Sequence, residues 1–170
     1  MADAVNLWLH IFAATLWVGP QVFLFVAVVP ALRQVTDAVE RTRMLRVVVY
    51  RFGYLSLAAM AVLVATGVQN ILNANETYFA SGPGMLDYRF GVILVVKLTM
   101  VAVTIALTAY HALVIGPRQL ALSEGGGHEA ELARLRLKSI VVSGLNLALS
   151  VGILFAAAML ATQSYSLRLR

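Results

Sequence analysis

Apolar runs and polar breaks divide the chain into four long hydrophobic segments, roughly residues 4–32, 47–72, 88–115 and 139–162. A helix rises 1.5 Å per residue, so roughly 20 apolar residues cross about 30 Å of hydrocarbon, and each segment is long enough. The breaks differ in charge. Residues 33–46 carry Arg33, Asp37, Glu40, Arg41, Arg43 and Arg46. Residues 73–87 hold Glu76 and Asp87 but no lysine or arginine. Residues 116–138 hold Arg118, Arg134, Arg136 and Lys138, with Gly125-Gly126-Gly127 in the middle. The pattern predicts an all-α integral membrane four-helix bundle, a single transmembrane domain over residues 1–170. Clustered arginines resist translocation, which places the first and third breaks in the cytoplasm and both termini outside, against the smaller opposing pull of Arg168 and Arg170.

Inside the segments, polar residues recur at helical spacing. At about 100° per residue, Lys97, Thr104, Thr108 and His111 share one face of the third helix. A lysine there costs roughly 2.5–3.5 kcal/mol at mid-membrane, so it must meet protein, water or a ligand. The first helix places His10, Ala14, Trp17 and Gln21 on one face, and Pro20 beside Gly19 predicts a kink or a freed carbonyl. The second carries Tyr50, Arg51 and Tyr54 at its inner end and Thr66, Gly67, Gln69 and Asn70 near its outer end. The fourth has Gly144, Ala148, Gly152 and Ala156, a small-residue stripe that admits close approach of another helix. Beside it runs a line of Ser139, Ser143, Asn146 and Ser150. Trp8 and Tyr165 suit the outer membrane–water interface.

Topology turns sequence position into depth. His10 and Lys97 both lie on the order of 10 Å below the outer surface, with Thr66 and Asn70 at a similar level. His111 lies about 21 Å along the axis from Lys97, toward the cytoplasm, where Gln21, Tyr54, Ser143 and Asn146 also reach. Two polar clusters result, one per leaflet, each with one histidine. His10 and His111 are too far apart to be the two axial ligands of one haem within a protomer, since those ligands sit about 4–5 Å apart across the ring. His10 with Lys97, His111 with another partner, a five-coordinate iron, or a ligand from a second chain all stay open. So do plain structural roles: a bundle histidine bonded to a neighbouring helix, and a lysine held by backbone carbonyls.

Composition agrees with a membrane protein. Hydrophobic residues make up 61% and charged residues 12%, against about 25% charged in soluble domains; mean hydropathy is +0.84. There is no cysteine, which removes disulfides, thiolate metal sites and cysteine nucleophiles. The net charge of +5 reads as topology, not nucleic-acid binding, because the arginines flank apolar runs and form no stripe with aromatics. The opening residues lack a positive n-region, so the N-terminus reads as mature. Thioethers select Cu(I), but Met60, Met100 and Met159 fall one per helix without close spacing, and core filling accounts for them. Asn75-Glu76-Thr77 matches a glycosylation sequon, and the stretch around His128 reads as a solvated loop. The spacing of polar residues shows no Ser/His/Asp arrangement, phosphate-binding loop or acidic pair.

Three stretches together resemble the bacterial copper-resistance D family. Leu9-His10-Ile11-Phe12-Ala13-Ala14-Thr15-Leu16-Trp17-Val18-Gly19 is similar to its opening helix, with Pro20 where the family has a second glycine. Val64-Ala65-Thr66-Gly67-Val68-Gln69-Asn70 resembles its second helix. Tyr88-Arg89-Phe90-Gly91-Val92-Ile93-Leu94-Val95-Val96-Lys97-Leu98 resembles its third. The pairing of an early histidine with a third-helix lysine is also similar to the J-type membrane protoporphyrinogen oxidases, although Asn146 is followed by Leu147 and Ala148, unlike their last-helix signature. The resemblance implies a b-type haem near His10 and Lys97, with His10 as the metal ligand and Thr66, Asn70 and His111 as further candidate cofactor-binding residues. It implies a haem-binding protein of the bacterial inner membrane in electron transfer or copper-linked redox. A porphyrinogen-oxidising enzyme and a structural subunit of a larger complex are the alternatives. The expected partners are membrane lipid and, through the fourth helix, a second copy or a larger membrane complex.

Overall fold

The computed structural model describes residues 1–78, 85–125 and 129–161. Four helices among them are long and apolar enough to cross a membrane. They are α1 (Ala2–Gln34), α2 (Ala38–Tyr78), α3 (Arg89–Gly125) and α4 (Glu129–Ala161). The chain is therefore a four-helix membrane bundle, and its large exposed apolar side chains, such as Phe23, Val26, Leu113 and Phe155, face lipid. Tyr165 and His128 lie outside the described residues, as do the side chains of Asn75 and Thr77.

The helices run further than the apolar windows. Only Val35, Thr36 and Asp37 separate α1 from α2. Asp37 explains the short break: its Oδ1 accepts from the backbone N–H of Val39 at 2.8 Å, an N-cap that satisfies an orphan donor of the first turn. The charged residues expected in loops thus sit on helical extensions. Arg46 pairs with Glu124 across α2 and α3, and Arg118 with Glu131 across α3 and α4. Both pairs are solvent-exposed, so each contributes only about 0.2–1 kcal/mol.

The bundle is built as two antiparallel hairpins, α1 with α2 and α3 with α4. A core cluster of Trp17, Val18, Ala59, Met60 and Ile153 joins them near mid-length. Pro20 is accommodated within α1, which continues into a widened π-helical turn at Leu24–Val28. Pro20 and Pro30 each lack a backbone N–H, which loosens the ladder around that turn. α3 has a matching π-helical turn at His111–Ile115, just before Pro117. Residues of both turns border the inner cavity described below.

The predicted inward faces are partly confirmed. Thr104 and Thr108 are buried, as are Trp17 on α1 and Thr66 on α2. Tyr54, expected in the inner polar cluster, is instead 71% exposed, because the face of α2 that carries it turns away from the other helices. On α4 the inward face is the polar line, with Asn146 and Ser150 buried. The small-residue stripe divides. A Cβ on Gly152 would lie 3.3 Å from the Met100 sulfur, whereas one on Gly144 would meet nothing within 4 Å. Ala156 is buried and Ala148 exposed. Four-residue spacing advances about 40° around a helix per step, so the two ends of the stripe face different surroundings.

Candidate functional site

The half of the bundle nearer the N-terminus, the outer half in the expected topology, holds a ladder of side chains between α1 and α2. Asp3 accepts from Asn73 Nδ2 at 2.8 Å. Asn6 donates through Nδ2 to Asn70 Oδ1 at 2.7 Å and to the Thr66 carbonyl at 3.2 Å. One turn deeper, His10 Nδ1 lies 2.7 Å from Thr66 Oγ1. Thr66 Oγ1 is also 2.7 Å from the Val62 carbonyl, which can only accept. The single hydroxyl hydrogen therefore goes to Val62, and Thr66 must accept from His10. This fixes the proton on Nδ1 and leaves the lone pair on Nε2. A hydrogen bond of this kind on the far ring nitrogen orients metal-ligating histidines and raises their basicity.

Gly67 completes the setting. A Cβ there would come within 3.3 Å of His10 Cε1, so glycine lets α2 approach the imidazole closely. Lys97 reaches the same region from the opposite hairpin and is half-buried, as is His10. It lies near His10 and has no hydrogen-bond or ion-pair partner among the described residues. The structure thus brings His10, Thr66, Asn70 and Lys97 into one outer-half cluster. His111 stands apart from it.

His111 belongs to the inner half. Its Nε2 lies 3.0 Å from Ser139 Oγ, so the nitrogen that is free in His10 is engaged here. Nearby, Asn146 donates to Gln21 Oε1 at 3.2 Å and accepts from Thr108 at 3.4 Å, while Ser150 donates to the Asn146 carbonyl at 2.7 Å. Gln21, Thr108, His111, Ser139 and Asn146, with residues of the widened turns, border a cavity of about 450 Å³ that involves all four helices. Trp17 forms part of its wall, 4% exposed. The Trp17 indole N–H is the one buried side-chain polar group without a hydrogen-bond partner among the described residues, an omission that costs about 1–3 kcal/mol. Sequence spacing identified the inner polar residues, but not the cavity, and gave no sign that Asn6 and Asp3 would brace the outer cluster.

Among the described residues, no group of three or more His, Cys, Asp or Glu side chains converges on a metal position. Met60 and Met100 lie in or against the central core cluster, between the two polar regions.

The sequence model of one protein family, described as Copper resistance protein D, matches residues 46–160. The matched range covers most of α2, all of α3 and nearly all of α4. It includes Thr66, Asn70, Lys97 and His111; His10 lies before it. No curated protein and no solved structure matches the chain.

Proposed function

Because the chain belongs to the copper resistance protein D family, a multi-pass membrane family, we propose that it is a haem-binding member acting in electron transfer or copper-linked redox. We place it in the bacterial inner membrane with both termini outside. The observation that carries this reading is the hydrogen bond from His10 Nδ1–H to Thr66, which leaves Nε2 as a prepared ligand atom.

The donor set fits haem better than a bare ion. A free metal ion would need three or four protein ligands, and no such group converges among the described residues. A haem brings four nitrogens of its own and asks the protein for one or two axial ligands. His10 supplies an imidazole, and Lys97, drawn from the other hairpin and without another partner among the described residues, supplies either a neutral amine or a charge for a propionate. Thr66 holds the imidazole in its tautomer, and Asn6 with Asn70 fixes α1 against α2. When bound, the haem supplies one-electron exchange. Copper is a weaker candidate guest, since the thioethers of Met60 and Met100 lie in or against the core, where packing already accounts for them. The open Gly144–Ala148 face of α4 is where a second copy or another subunit would pack.

The test is an absorption spectrum of detergent-purified protein after haem supplementation. His10→Ala should abolish or strongly weaken the Soret band, and His111→Ala should leave it largely intact. If Lys97 is an axial ligand, Lys97→Met keeps haem but changes the spectrum, a thioether replacing an amine. If it pairs with a propionate, Lys97→Arg is nearly silent and Lys97→Met loses haem. A colourless protein, or one in which His111→Ala alone bleaches the band, would overturn the assignment.

A further inference from the structure

We propose that the inner cavity binds an anionic phospholipid of the adjoining leaflet, with its phosphate on Arg33, Arg41 and Arg136. These three arginines come from α1, α2 and α4 and all line the same cavity. The neighbouring Arg43, Arg46 and Arg118 are each matched to a glutamate. Arg33, Arg41 and Arg136 have no acidic partner among the described residues. Three cations converging on one opening without an anion are an unmet charge requirement, and basic pockets between transmembrane helices on the cytoplasmic side recruit anionic headgroups.

The order of groups along the wall matches the order of groups along a lipid. On α4, Ser139 lies about 4.5 Å and Ser143 about 10.5 Å deeper than Arg136. A phospholipid in that leaflet likewise presents its phosphate first, its ester carbonyls next and its acyl chains last. Arginines therefore meet phosphate, and the hydroxyls of Ser139 and Ser143 meet ester oxygens. The apolar walls, including Leu24, Val28, Phe52 and Leu107, meet a chain. A free fatty acid satisfies the site less well, since its two carboxylate oxygens cannot serve three arginines from three helices and it has no second tier of acceptors. This proposal is independent of haem at His10, which lies in the other leaflet.

Trp17 borders the cavity and provides the reporter. The protein has two tryptophans, and the other, Trp8, is exposed and stacked on Phe12, so Trp8→Phe leaves Trp17 as the sole indole. Reconstituted with bromine-labelled acyl chains, this protein should be quenched by phosphatidylglycerol well beyond its mole fraction among phosphatidylcholine. The preference should reach about five-fold for each arginine engaged. Arg41→Gln with Arg136→Gln should remove most of the preference, while quenching by brominated phosphatidylcholine stays unchanged and shows that the bundle is intact. Equal quenching by the two lipids in the parent protein would overturn the proposal. Brominated fatty acid showing the same arginine-dependent preference as phosphatidylglycerol would overturn the phospholipid assignment in favour of a carboxylate site.

Discussion

The two histidines sit in opposite halves of one bundle and are held in opposite ways. His10 gives its Nδ1 proton to a threonine whose own hydrogen is committed to a backbone carbonyl, so its tautomer is set and Nε2 is left over. His111 has its Nε2 occupied by Ser139 and lies against an open cavity. The outer half is laced by short side-chain bonds between α1 and α2, and the inner half is spread by two π-helical turns. An imidazole becomes a ready ligand through what binds its other nitrogen, not through burial alone. The roomier half is therefore the half in which the imidazole Nε2 is already engaged.

Three tests, using five substitutions, probe that contrast beyond the histidine pair. The largest effect belongs to packing. Gly152→Leu forces a side chain against Met100 and should cost at least about 1–3 kcal/mol, read as lost folded yield or a lower unfolding midpoint in detergent. Gly144→Leu, one helix section nearer the cavity, should be close to neutral because a Cβ there meets nothing. Equal tolerance of the two would remove the distinction between a tight outer half and an open inner one.

Next comes the hydrogen bond that orients His10. Thr66→Val keeps the shape and removes the acceptor, and we expect roughly 10–100-fold weaker haem retention in a titration followed by absorbance. Ser139→Ala, the matching change beside His111, should leave that titration unmoved. If both variants weaken haem to the same degree, the outer site is not the one in use.

The smallest effect is at the charged helical extensions that join α2 to α3. Arg46→Gln breaks an exposed ion pair with Glu124 and should shift stability by only about 0.2–1 kcal/mol, less at high salt. A loss of several kcal/mol, measured by detergent unfolding, would mean that this end of the bundle is held far more tightly than its exposure indicates.

Much of this was legible in the residues. Four apolar runs gave four helices, and the 3.6-residue period put Thr104 and Thr108 inside along with Trp17. Position along each run also separated His10 from His111 by depth. Periodicity assigns a residue to a face, but not the face to a neighbour. Tyr54 was therefore placed inward when α2 turns it out, and the stripe on α4 looked continuous when only Gly152 and Ala156 meet the bundle.

What the sequence by itself determined is the set of helices and most of their inward polar positions. These follow from local geometry, the rise and rotation of one helix. Only the tertiary structure decided that Thr66 meets His10, that Asn6 braces Asn70, and that Arg33, Arg41 and Arg136 border one cavity. Each of these depends on how one helix is rotated and slid against another. That register is set by the summed packing of the whole interface and is carried by no single stretch of chain.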